Sequence, residues 1–455
     1  MEREGATRRT LERLAGAVDF RVAIDFGTAM SKVALGASLP QGPVSTPLAI
    51  GASAGAEWSF LVPSALFVEN DRVFMGARAR ALAAAAKDEE REELLSFKTI
   101  LSAQNPAVAH AARLRPTIDP TQSFTYRDAL VLYLAFLFEL SSASVSADTR
   151  AADMIATAPR RFTHPAYRPD GVDFAYHRTL FDEAQALATA LGPNLSSVDG
   201  MPVSAARLAL DGARARPGIG RLQGEMYEAH ATALAHLPHA QMALERFLVF
   251  DMGAGTTDIA GFNSAQLDGA LVLQEVLPAR CTLAIACDEL DSILLDVLMR
   301  KWGLKTRTSE IRMWRSMKRS VLRLKEELFT TGKTSLNHEG KKITVRLNDL
   351  RSDRQFKHFE AALADAYRQS LTAVGSGLRR GEKAKVGIIL AGGGSRLDFL
   401  QELASAKVGR VEPAVFPLVP GWAMQARLHD DHVASFPQLA TSLGCALAPV
   451  ESLAS

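Results

Sequence analysis

The first pattern along the chain is a short apolar block that ends in an acid, breaks at small residues and then resumes. Residues 21–36 read RVAIDF, GTAMS and KVALG, which predicts a strand, a tight turn and a second strand paired as a hairpin. Residues 61–76 carry a second hairpin pattern, turning at Glu69, Asn70 and Asp71, followed by an alanine-rich helix over 77–87. Residues 126–142 are apolar nearly all round, which predicts a helix buried between layers. The stretch 153–162 reads as strand then loop, 176–191 as an amphipathic helix, 192–220 as an irregular segment broken by Gly, Pro and Asn, and 225–237 as a helix.

The opening pattern then returns. Residues 246–262 read FLVFD, MGAGT and TDIAGF, so Asp251 repeats the position of Asp25. An internal echo of this kind predicts two similar halves. Beyond it the periodicity predicts helices over 290–302 and 311–329, a polar hairpin over 334–347 and a long helix over 355–379. A buried strand over 385–391 follows, then GGGSR, a helix over 397–406 and a last helix over 437–447.

Composition narrows the function classes. The 455 residues are 47% apolar, enough to build a large core. The 52 basic and 50 acidic side chains leave a net charge of +2, which argues against nucleic-acid partners and a polybasic membrane anchor. The longest uncharged apolar run, 129–138, is well short of the roughly 20 residues that span a bilayer. Residues 1–19 form a polar leader without the apolar stretch of a signal peptide. Three cysteines, Cys281, Cys287 and Cys445, are too few for a disulfide framework and lack zinc-site spacing, so a cytoplasmic setting is expected.

The chemistry concentrates in the repeated turns. In the first, Asp25 ends the strand and Gly27, Thr28, Ala29 and Met30 form the turn. In the second, Asp251 leads Gly253, Ala254, Gly255 and Thr256, with Asp258 beyond. Glycine lets the backbone approach an anion, successive turn amides converge on phosphate oxygens, and a neighbouring carboxylate suits Mg²⁺. Alone, D-F-G-T reads as an ordinary hairpin glycine; the second copy makes a polyphosphate clamp the better explanation. A third element, Gly392, Gly393, Gly394, Ser395 and Arg396, follows a buried strand and precedes a helix, where a base or ribose could approach the backbone.

This ordered set resembles the actin-like ATPase superfamily, and within it the nucleotide-binding domain of the heat shock protein 70 chaperones. IDFGTAMSKVAL is similar to that family's first phosphate motif, FLVFDMGAGTTDIA to its second and IILAGGGSRLDFL to its adenosine motif, over roughly 21–447. The resemblance implies an α/β, two-lobed actin-like fold of duplicated ribonuclease H-like domains with ATP or ADP in the cleft. Lobe I would span 20–245 with a small subdomain near 51–120, lobe II 246–427 with a small subdomain near 289–374, and 428–455 would return to lobe I.

By the same resemblance Asp25 and Asp251 would hold Mg²⁺ through water, and the two turns would cradle the β- and γ-phosphates. Lys98, in ELLSFKTIL, would reach the transferred phosphoryl, and Lys325 and Arg396 would lie near the adenosine. The family's catalytic glutamate, which opens the helix linking the lobes, is assigned to Glu225; a competing alignment uses Met201-Pro202 and leaves no acid. The expected function is slow ATP hydrolysis in a chaperone-like protein that signals nucleotide state to a protein partner, with no peptide-binding domain following. A filament-forming actin relative, an ATP-binding pseudoenzyme and a sugar or acetate kinase are the alternatives.

Two weaker patterns are set aside. Residues 331–335, TGKTS, lack the upstream glycine of a phosphate-binding P-loop, with Glu327 in its place. His429 and His432 are two potential metal ligands in what reads as a solvated loop before the last helix.

Overall fold

A computed structural model describes residues 19–39, 42–86, 90–96, 101, 106–145, 149–164, 172–237, 244–267, 270–303, 311–338, 341–376, 384–425 and 430–447. The described residues are mixed α/β, with several sheets and no barrel among them. The described residues fall into two compact units: 19–237 with 417–447 form the first, and 244–416 the second.

The first unit is built on strands β1 (Asp19–Asp25), β2 (Met30–Leu39), β3 (Gly42–Pro47), β4 (Val62–Pro63), β5 (Leu66–Glu69), β6 (Arg72–Met75), β7 (Arg160–His164), β8 (Met201–Pro202) and β9 (Leu222–Tyr227). The main sheet has the order β3-β2-β1-β7-β9, with β4 pairing β2. β1, β2 and β3 are antiparallel neighbours, whereas β7 and β9 join parallel to β1. β1 is buried over its last five residues, at the centre of this mixed sheet, and helices pack on it.

On one face lie the helices Tyr126–Ala143 and Val172–Leu191, which pack on each other. The first starts from a capping box in which Thr125 and Asp128 bond each other's backbone amides. On the other face the helix Asp430–Leu447 lies against β1, β2, β3, β7 and the helix Glu228–His236. Its C-terminal carbonyls are held by buried arginines, Arg161 donating to Cys445 O at 3.0 Å and Arg21 to Ala446 O at 2.7 Å. Cations there also complement the helix dipole. β5, β6 and β8 form a separate three-stranded sheet, whose hairpin turns at Asn70 and Asp71, both left-handed at φ 48° and 56°.

The second unit contains β10 (Arg246–Met252), β11 (Thr257–Leu267), β12 (Ala270–Leu283), β13 (Lys333–His338), β14 (Lys341–Arg346), β15 (Ala384–Ala391) and β16 (Val411–Val415). Its main sheet has the order β12-β11-β10-β15-β16, with the first three antiparallel and β15 and β16 joining parallel. The helix Arg354–Val374 packs on β10, β11 and β12. β13 and β14 are a two-stranded hairpin beside the helices Cys287–Trp302 and Ile311–Thr331.

Several elements differ from expectation. The stretch before β7 is a helix, Thr149–Thr157, not a strand: Ala151 and Ile155 sit one turn apart on a buried stripe. Within 192–220 there is a full helix, Val203–Ala215, burying Val203, Ala206, Leu210 and Ala213 at helical spacing. The helix expected to begin at Glu225 begins at Glu228, because pairing to β7 holds 222–227 extended. The last helix starts at Asp430 and carries Pro437 inside it, where the ring removes one backbone bond.

Candidate functional site: two acid-bearing turns

Asp25 is the final residue of β1, level with Lys32 on β2 and Thr163 on β7. Its Oδ2 accepts from Lys32 Nζ at 2.9 Å and its Oδ1 from Thr163 Oγ1 at 3.1 Å. The carboxylate is 3% exposed, so this charge-assisted pair sits largely out of water. The turn that follows is tight: a Cβ on Gly27 would lie 2.1 Å from the carbonyl of Met30. Phe26 is buried and stacks on Tyr133 with ring centroids 5.3 Å apart. Thr28 is half-buried and Ala29 exposed, so the tip of the turn is accessible.

Asp251 occupies the matching place in β10, level with Asp258 on β11 and Ala391 on β15. Here an acid faces an acid. Asp258 is buried and accepts from Thr256 Oγ1 at 3.0 Å and Thr282 Oγ1 at 2.6 Å. The Thr256 hydroxyl, expected at phosphate, is therefore engaged by Asp258. The turn closes through Gly253 N–H donating to Thr256 O at 3.0 Å. Its outer carbonyls are held by the start of the helix Cys287–Trp302: Cys287 N–H donates to Gly253 O at 3.3 Å and Asp288 N–H to Ala254 O at 2.8 Å.

The glycine-rich element joins this second turn. Gly392 follows β15 with φ 76°, and a Cβ there would lie 2.3 Å from Met252 O and 2.4 Å from Asp251 Oδ1. Only glycine allows both the left-handed backbone and the close approach. Gly393–Arg396 is a single 3-10 turn, with Ser395 buried and donating to Gly392 O at 2.8 Å, and Arg396 exposed. Lys325, on the helix Ile311–Thr331, pairs with Asp291 at 2.7 Å and reaches Cys287 O at 3.4 Å. Burial pulls its ammonium pKa down, but Asp291 together with Cys287 and Asp288 outweighs burial and holds it above the ordinary lysine value. Burial pushes the Cys287 thiol up to about 11, so it is protonated near neutrality.

Glu225 does not stand at a helix start. It lies inside β9, level with Phe162, and its Oε1 is 2.5 Å from His177 Nδ1 on the helix Val172–Leu191. Both side chains are nearly buried. The acid that opens the following helix is Glu228. Asp25, Thr163 and Met226 share one row across the parallel strands, so Glu228 follows two residues beyond the row that carries Asp25. LQGEMY can alternate as a strand up to Tyr227, just before EAHATALAH, a local pattern compatible with Glu228 at the helix start. Met201, the competing position, lies in β8 and pairs with Val73.

Lys98 and His429 fall outside the described residues, and His432 is buried in the last helix. Lys32 was not singled out from the sequence, although its place seven residues after Asp25 puts it directly across the hairpin. Among the described residues no three His, Cys, Asp or Glu side chains gather as a metal cluster. Acids at one or two positions are what phosphate-bound Mg²⁺ requires, since phosphates and waters complete its shell; the acid at the end of each central strand is a donor of that type. Compared with known proteins, the chain matches no family model and no curated relative.

Proposed function

We propose that the chain is a nucleotide-binding protein of the actin-like ATPase superfamily, similar to the nucleotide-binding domain of the heat shock protein 70 family. One ATP would engage both acid-bearing turns, with 27–30 and 253–256 at the β- and γ-phosphates. Asp25 and Asp251 would face the water shell of its Mg²⁺. Gly392, Gly393, Gly394, Ser395, Arg396 and Lys325 would lie toward the nucleoside. The observation that carries this reading is the repetition of one strand order in both units, each with its acid at the same end of the central strand. A duplicated ribonuclease H-like fold is the architecture with that property.

Loss of the γ-phosphate would remove a ligand that both turns grip, and a protein partner would read the change of shape. Hydrolysis would be slow and would use Glu228, rather than Glu225, to orient the attacking water. Lys98 would stabilise charge on the phosphoryl group. We place the protein in the cytoplasm on its three free thiols, and no helix among the described residues is long and apolar enough to cross a membrane. Isothermal titration with ATP, ADP and Mg²⁺, together with phosphate-release assays, tests the reading. ATP binding that is Mg²⁺-dependent and weakened in Asp251→Asn supports it; absence of nucleotide binding in the wild type refutes it.

An ATP-binding protein without turnover is the second reading: Glu225, the acid expected from the sequence, lies in a strand with its Oε1 on His177, so turnover would rest on Glu228. Single-turnover assays of Glu228→Gln separate the two. Loss of hydrolysis in that variant supports an ATPase, whereas wild type that binds ATP and never releases phosphate supports a scaffold.

A further inference from the structure

We propose that Ser64 is a positioning residue that aims two backbone amides of the first turn, those of Thr28 and Met30, and so builds a seat for a phosphate oxygen. The inference rests on the nucleotide reading above and deepens it. Ser64 is fully buried and follows β4 directly. Its N–H donates to Ala29 O at 2.8 Å, and its hydroxyl donates to Gly27 O at 2.7 Å. A planar trans peptide points its C=O and the next N–H in opposite directions. With the carbonyls of Gly27 and Ala29 both drawn to Ser64, the amides of Thr28 and Met30 face away from it. The Thr28 amide donates to no backbone carbonyl among the described residues. Amides aligned in this way form an anion-binding concavity.

Ser64 is itself held in place. Its single hydroxyl hydrogen is spent on Gly27, so in the 2.9 Å contact between the two hydroxyls Ser31 is the donor. The preceding carbonyl, Pro63 O, accepts from Tyr133 OH at 2.8 Å. Tyr133 in turn stacks on Phe26, the residue before Gly27. The turn and its clamp therefore share one rigid support from the buried helix Tyr126–Ala143.

The test is nucleotide titration of the full chain with Mg²⁺, using ATP, ADP and adenosine on wild type, Ser64→Ala, Ser64→Thr and Ser31→Ala. Loss of one buried hydrogen bond predicts about tenfold weaker ATP and ADP binding in Ser64→Ala. Adenosine affinity stays at the wild-type value, Ser64→Thr recovers most of the loss, and Ser31→Ala weakens ATP binding by about threefold. Should Ser64→Ala not fold, Ser31→Ala and Ser64→Thr carry the same comparison. Unchanged ATP affinity in Ser64→Ala and Ser31→Ala, or an equal loss for adenosine, overturns the role of Ser64. A wild type that binds no ATP overturns the nucleotide reading, and this inference with it.

Discussion

The two turns share a backbone plan and differ in what holds them and what faces their acid. In the first, Ser64 grips the turn carbonyls through its amide and hydroxyl, and a lysine meets the acid. In the second, the first two amides of a helix grip the turn carbonyls, and a second acid stands across the strand. The same topology therefore supports opposite electrostatics. Lys32 neutralises Asp25 and leaves the first turn tolerant of anions. In the second, Asp251 stands level with Asp258, whose carboxylate accepts from Thr256 and Thr282, so two acids meet across one hairpin.

That asymmetry predicts unequal effects of equal substitutions. Under the proposed nucleotide reading, Asp251→Asn should weaken Mg²⁺-dependent ATP binding by about 100-fold, since it would remove the charge assigned to the metal's water shell. Asp25→Asn should cost about tenfold or less, because its carboxylate is already shared with Lys32. Titration at fixed Mg²⁺ compares them, and equal losses would break the contrast.

Stability should divide the turns next. Lys32→Met strands a nearly buried carboxylate and should destabilise the protein by about 3 kcal/mol. Asp258→Asn relieves a like-charge pair and keeps one acceptor for the threonines, and should change stability by about 1 kcal/mol. The glycines give a parallel test. Gly27→Ala, with its Cβ against a backbone carbonyl, should cost about 2–4 kcal/mol, whereas Gly253→Ala, whose nearest contact is Thr256 O at 3.3 Å, should cost about 1 kcal/mol. Urea denaturation at pH 7.5 reads all four variants.

A further expected effect concerns pH and belongs to the first unit. His236 is buried against Thr232 O and Phe436, and burial pulls its pKa from 6.5 down to about 4. The unfolded chain therefore binds this proton first. Stability is full above the unfolded pKa of 6.5 and is lost as pH falls toward the folded value. The loss should reach about 2 kcal/mol at pH 5. His236→Asn should flatten this slope in denaturation curves measured between pH 7 and 5; an unchanged slope would show that other groups set it.

Much of this architecture was legible along the chain. Asp25 and Asp251, with their glycine turns, announced themselves because a hairpin is a local object: its strands and turn are contiguous and its chemistry is spaced by a fixed register. The apolar helix Tyr126–Ala143 was equally plain, since burial on all sides leaves no polar face. Short segments misled where two periods fit. DMIAT can bury alternate residues as a strand or one stripe as a helix, and only neighbours choose.

The sequence by itself determined the repeated turns, the acid that leads each and the glycines that let them close. The tertiary structure alone decided which glutamate opens a helix, because the pairing of β9 to β7 holds Glu225 in a strand and leaves Glu228 at its end. It alone brought Ser64 to Gly27 across 37 residues, and the last helix back onto the first strand through Arg21 and Arg161. Such contacts carry no local signature, since a serine or arginine reads alike in solvent and in a clamp until the fold supplies its partner.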